Sequence, residues 1–217
     1  MKKIVSIFLL FLIMTSIFVP TANAAFTPPF DVNAVSVYMV NLDTGVVVYD
    51  KNSHERRAPA SLTKLMTSLL LMETVPDLAG TKVTAPGYIY DEIVEQMPGS
   101  STADIRPYEE VSCKDLLYAM MLPSANEAAS IVADYIGKGN LENFYAVMNA
   151  RAAELGCTDT NFTSAHGYFG LEKNHFTSAY DLYLIAKACY ETEGFMDVVK
   201  TNTYWMPITN KHPNVIV

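Results

Sequence analysis

A serine and a lysine three residues apart, Ser61 and Lys64, open the run Ala58-Pro-Ala-Ser-Leu-Thr-Lys-Leu-Met-Thr67. Positions i and i+3 share a helix face, which puts the amine within reach of the hydroxyl. A serine hydroxyl attacks a carbonyl once a base takes its proton. Lysine is such a base only when neutral, a state favoured by burial and by cationic neighbours. The spacing of Leu62, Leu65, Met66, Leu69, Leu70 and Met72 predicts a helix with one buried face. The N-terminus of that helix favours developing negative charge at Ser61. Taken alone, the pair also fits a plain helix cap with Lys64 in solvent.

A second short motif, Leu122-Pro-Ser-Ala-Asn-Glu127, falls at the break between two predicted helices. There Ser124 is placed to relay a proton between Lys64 and a leaving amine. The Asn126 carboxamide both donates and accepts, which suits holding a peptide backbone or fixing the lysine. The rival reading makes Ser124 a helix cap, but two such motifs in one chain favour chemistry over coincidence.

The elements that must position these groups are legible in part. Residues 34–40 and 46–49 are β-rich and joined through Asn41-Leu-Asp-Thr-Gly45, which predicts a hairpin. The helix beginning at Ser61 follows Pro59. Residues 82–106, rich in Pro, Gly, Ser and Tyr, read as irregular or as small strands. Ser112-Cys-Lys-Asp115 and Ser178-Ala-Tyr-Asp181 read as capping boxes, opening helices that run to Met121 and over 182–190. Between them, Ser124–Ile136 and Leu141–Leu155 are predicted helical, the latter capped by Asn140 and ended by Gly156. A hairpin and a helix followed by a helical block predict an α+β fold.

Lys2 and Lys3, the apolar run Ile4 to Val19 and the small residues Ala22 and Ala24 predict an export signal over residues 1–24. The alternative, an uncleaved anchor, is short for a span of about 20 residues. Residues 25–217 suffice for one domain. The chain is acidic, with a formal net charge of −8 and no long basic run, which argues against nucleic acid as a partner. Cys113, Cys157 and Cys189 are odd in number and widely spaced, so they read as buried, inert thiols. His54, His166, His175 and His212 lack metal-ligand spacing, and neither a metal nor another cofactor is expected.

At the two motifs the chain resembles the low-molecular-weight penicillin-binding serine DD-peptidases, the D-alanyl-D-alanine carboxypeptidases. The resemblance extends over VYMVNLDTGVVVYDKN, APASLTKLMT, PGSS, DLLYAMMLPSANEAA, AAELGCTDTNFTSAHG and NHFTSAYDL. It implies the β-lactamase/DD-peptidase-like fold, with Ser61 as acylated nucleophile, Lys64 as its base, Ser124 as proton relay and Asn126 as a contact to substrate and lysine. It also implies peptidoglycan stem peptides and β-lactams as partners and a place in the cell envelope. His166-Gly167 and Asn174-His175 match family text, read here as loop wall or satisfied core histidines.

Two departures stand out. Tyr168-Phe-Gly170 interrupts text that in the family runs straight on to Leu171. The family's third motif, Lys-Thr-Gly on a sheet strand, does not occur in the 217 residues. The expectation is therefore an incomplete domain over 25–217 that lacks the sheet's C-terminal strands, with membrane association through that missing region and weak turnover or none. A class A-like β-lactamase is the nearest rival, but Cys157-Thr-Asp-Thr-Asn161 stands where an E-x-x-L-N stretch is needed. A non-catalytic envelope-binding module on the same scaffold is the rival from another class.

Overall fold

The computed structural model describes residues 31–217 apart from positions 169, 171, 172 and 214; the export signal expected over 1–24 lies outside them. The expected hairpin forms from β1 (Val37–Val40) and β2 (Val47–Lys51), antiparallel from Val37 opposite Lys51 to Val40 opposite Val47, with an irregularity between Met39 and Val40. Its turn is held by the Asn41 side chain, whose Oδ1 accepts from the N–H groups of Asp43 and Thr44, both at 3.0 Å. Asparagine organises turns in this way.

After one 3-10 turn (Ala60–Thr63) the chain enters α1 (Lys64–Thr74). This helix is buried on most of its circumference, since Met66, Thr67, Ser68, Leu69, Leu70 and Leu71 are consecutive buried positions. The expectation of a single buried face is therefore corrected. Leu62, counted on that face, is 53% exposed. The reason is position: α1 is the central helix, packed against α3 (Cys113–Met121), α4 (Asn126–Gly137), α5 (Leu141–Glu154) and α6 (Ala179–Glu191). Its hydroxyls are satisfied inside, Thr67 Oγ1 donating to the Ala165 carbonyl at 2.6 Å and Ser68 Oγ to Met121 Sδ at 3.1 Å. Each fully buried Leu or Met of this helix contributes about 1.5–3 kcal/mol.

The region read as irregular holds a helix, α2 (Tyr88–Gln96), between β3 (Lys82–Thr84) and the β4 strand (Glu110–Ser112) that pairs antiparallel with β3. Ser112 closes a full capping box with Asp115, as expected. At α6 only half of the predicted box forms. Ser178 Oγ accepts from the Asp181 N–H at 3.1 Å, while the buried Asp181 carboxylate accepts from Asp159 N–H and Thr160 Oγ1 at 2.7 and 2.6 Å. Asn140 caps α5, and Gly156 takes φ +89° after it.

The described C-terminal part adds α7 (Phe195–Val199), β5 (Trp205–Met206) and β6 (Val215–Ile216). Cys113 and Cys189 are buried, Cys157 is half-buried, and all three are free. Among the described residues no helix is long and apolar enough to cross a membrane.

Candidate active site

The nucleophile candidate Ser61 is exposed and sits in the 3-10 turn ahead of α1, not in an α-helix as expected. The turn is reached through Ala60 at φ +49°, a left-handed conformation that costs a non-glycine residue of order 1 kcal/mol. Two groups hold it there. The imidazole of His175, fully buried, lies 2.8 Å through Nε2 from Thr63 Oγ1 while Nδ1 accepts from the Thr163 N–H at 3.0 Å. That pairing assigns the proton to Nε2, which donates to Thr63. Gly167 packs so closely on the turn that a Cβ there would meet the Ala60 carbonyl oxygen at 1.9 Å.

Lys64 is the first residue of α1, and only 1% of it is exposed. Its amine faces four oxygens: Asn126 Oδ1 at 2.6 Å, the His166 carbonyl at 3.2 Å, Ser124 Oγ at 3.3 Å and Ser61 Oγ at 3.5 Å. Burial brings its pKa down to about 8, against the charge of the Glu127 carboxyl, which pulls the other way. Burial, one of the two causes the sequence offered, accounts for the shift.

Ser124 lies on the connection between α3 and α4 at φ +62°, a second left-handed non-glycine residue. It does not cap α4, whose N-cap is Ala125. Asn126, the first residue of α4, donates its backbone N–H to the Ser101 carbonyl at 2.9 Å and its side-chain Nδ2 to Ser100 Oγ at 2.7 Å. The structure thus brings Ser61, Lys64, Ser124 and Asn126 together around one amine. In that arrangement a neutral Lys64 can take the Ser61 proton directly or through Ser124.

Glu127 and Ser100 received no role in the sequence, and both border this site. Glu127 is 2% exposed and its Oε1 accepts from Thr102 Oγ1 and the Ala103 N–H at 2.7 and 2.6 Å. Burial raises its pKa in spite of those bonds. The PGSS text was the available signal for Ser100. For the His166 carbonyl there was none, because a main-chain atom has no residue type. The buried His166 ring has its pKa lowered to about 3 by burial, then by the charges of Lys64 and His175. It is neutral, and its Nδ1 accepts from the Tyr168 N–H at 3.0 Å.

The sequence matches the peptidase S11 family, D-alanyl-D-alanine carboxypeptidase, over residues 21–210. It is 34% identical to the D-alanyl-D-alanine carboxypeptidase DacF of Bacillus subtilis, covering 97% of this chain and 56% of that protein. Identity to the D-alanyl-D-alanine carboxypeptidase of Streptomyces sp. strain K15 is 33%, over 85% of this chain and 63% of that one. The chain therefore spans less than two thirds of these relatives. The crystal structure of the Streptomyces K15 DD-transpeptidase superposes with a TM-score of 0.78 at 29% identity, covering 88% of this chain and 74% of the other. The α+β fold is that of the DD-peptidases. By sequence and by fold, the chain belongs to the peptidase S11 family of D-alanyl-D-alanine carboxypeptidases.

Proposed function

We propose that the protein is an exported serine DD-peptidase that acts at the cell envelope on peptidoglycan stem peptides ending in D-alanyl-D-alanine and is acylated by β-lactams. The observation that carries this reading is the buried Lys64 amine set among Ser61, Ser124 and Asn126 at 3.5, 3.3 and 2.6 Å. Ser61 Oγ bonds to the penultimate D-alanine carbonyl carbon as its proton passes to neutral Lys64. The tetrahedral adduct collapses, the C–N bond breaks, and the departing D-alanine amine takes a proton from Lys64 by way of Ser124. Water then cleaves the Ser61 ester.

Asn126 holds the lysine amine and offers its amide to the peptide. Neither a metal nor another cofactor enters any step. The domain runs over residues 25–217 after an export signal. The Lys-Thr-Gly motif does not occur in the 217 residues, so this reading assigns the chain acylation with weak turnover or none.

The test is labelling with a fluorescent penicillin, followed by mass spectrometry of the labelled peptide. The native chain gives one adduct, on Ser61, and Ser61→Ala gives none. A folded native chain that takes no label under conditions that acylate a control DD-peptidase overturns the reading and favours a binding module.

A further inference from the structure

A set of contacts around the Lys64 amine closes into a ring. Lys64 donates to the His166 carbonyl at 3.2 Å. Two residues on, Tyr168 donates its backbone N–H to the His166 ring at 3.0 Å and its phenol to the Pro98 carbonyl at 3.1 Å. Pro98 belongs to a tight turn in which Gly99 takes φ +74° and the Ser100 N–H donates to the Met97 carbonyl at 3.1 Å. Ser100 Oγ accepts from Asn126 Nδ2 at 2.7 Å, and Asn126 Oδ1 returns to the Lys64 amine at 2.6 Å.

Within this ring the phenol of Tyr168 joins the His166 loop to the turn that holds Asn126. Tyr168 is 41% exposed and stands outside the hydrophobic core cluster, so core packing does not explain it.

We infer that Tyr168 is a positioning residue that clasps the 98–100 turn to the His166 loop, holding Asn126 in place and water away from the Lys64 amine. Its effect on rate rests on the peptidase reading; its effect on Lys64 does not. The groups facing that amine are the Glu127 carboxyl from α4, the neutral His166 from its loop and, one shell further out, His175. None of them is altered when the Tyr168 hydroxyl is removed. Opening the clasp admits water, which relieves the burial that holds the amine neutral and solvates the ammonium where the Asn126 oxygen slackens, so the gain in hydration outweighs the weakened contact and the titration moves upward.

The test uses the full chain carrying 13Cε-labelled lysine, with the Lys64 signal assigned by its absence in Lys64→Arg. In Tyr168→Phe the Lys64 titration midpoint rises by roughly half a pH unit. The pH profile of penicillin labelling rises with it, and labelling at neutral pH slows about threefold. A fold defect alone lowers the melting temperature and leaves the midpoint in place. Ser100→Ala cuts the next link and moves the midpoint the same way. Because both changes open one ring, the double variant moves it no farther than the larger single change.

An unmoved midpoint in Tyr168→Phe, or strict additivity in the double variant, overturns the clasp. Should Tyr168→Phe fail to fold, an unmoved midpoint in Ser100→Ala overturns it instead. A native chain that takes no penicillin counts against the peptidase reading, and the titration still decides the clasp.

Discussion

Asn126 Oδ1 lies 2.6 Å from the Lys64 amine, the shortest of the four oxygen contacts that amine makes. The resting lysine is tied to the carboxamide, while Ser61 Oγ, the group it deprotonates in the proposed reaction, is at 3.5 Å, the long end of hydrogen bonding. A proton on Lys64 is stabilised by the amide oxygen and destabilised by burial. The balance near pH 8 sets how the site responds to each change below.

Acylation should rise with pH through about 8, where burial places the Lys64 titration. Below that midpoint the rate falls about tenfold per pH unit, because only the neutral amine accepts the Ser61 proton. Time courses of penicillin labelling between pH 6 and 10 measure this. Lys64→Arg, charged throughout that range, should label at least about 1000-fold more slowly.

The same depressed pKa links to stability. Unfolded, Lys64 titrates at its ordinary value of 10.5; folded, at about 8. In that window the unfolded chain binds more protons, so stability should increase as pH rises from 8 to 10.5, by up to about 3 kcal/mol from this group. Urea unfolding across the window, native against Lys64→Gln, isolates the contribution.

Glu127→Gln should shift the labelling profile to lower pH. The carboxyl is the charge that raises the Lys64 pKa, and its neutral amide keeps an oxygen for Thr102 and the Ala103 N–H. At pH 7 the labelling rate should rise by about two- to fivefold. A shift toward higher pH would mean that Glu127 acts on Lys64 by another route.

Asn126→Asp reverses that sign. A carboxylate 2.6 Å from the amine favours the ammonium, moving the profile upward and slowing labelling at pH 7 at least about tenfold. Comparing the pH midpoints of Asn126→Asp and Asn126→Ala separates the charge from the lost contact.

Gly167→Ala tests the nucleophile turn. The added Cβ would fall 1.9 Å from the Ala60 carbonyl and 2.4 Å from Thr63 Oγ1, at a backbone φ of +76°. A loss of about 2–4 kcal/mol in denaturant unfolding is expected, with labelling of Ser61 reduced even in the folded fraction.

The fold class and the clustering of the candidate residues were legible, while several details of the elements around them were not. Ser61, Lys64, Ser124 and Asn126 could be picked out because their residue types and spacings carry chemistry, and Asn140 and Gly156 because capping has residue preferences. The α2 helix was missed because Tyr88-Ile-Tyr and Ile93-Val, aromatic and β-branched, follow Pro86-Gly87 and read as strand or loop. The all-round burial of α1 was missed because Thr67 and Ser68 look like a solvent face until Ala165 and Met121 are seen to accept their hydroxyls. The failed half of the Ser178–Asp181 box has a similar cause. A distant loop at 159–160 outcompetes the local N–H for the carboxylate, and no window of sequence contains both.

The thiols set how the chain meets an oxidising compartment. Burial holds Cys113 up to about 11 and Cys157 and Cys189 up to about 12, so at neutral pH about one in ten thousand or fewer is thiolate, the form that oxidants attack. In the envelope setting proposed above, burial thus shields the three thiols of the folded chain from oxidants.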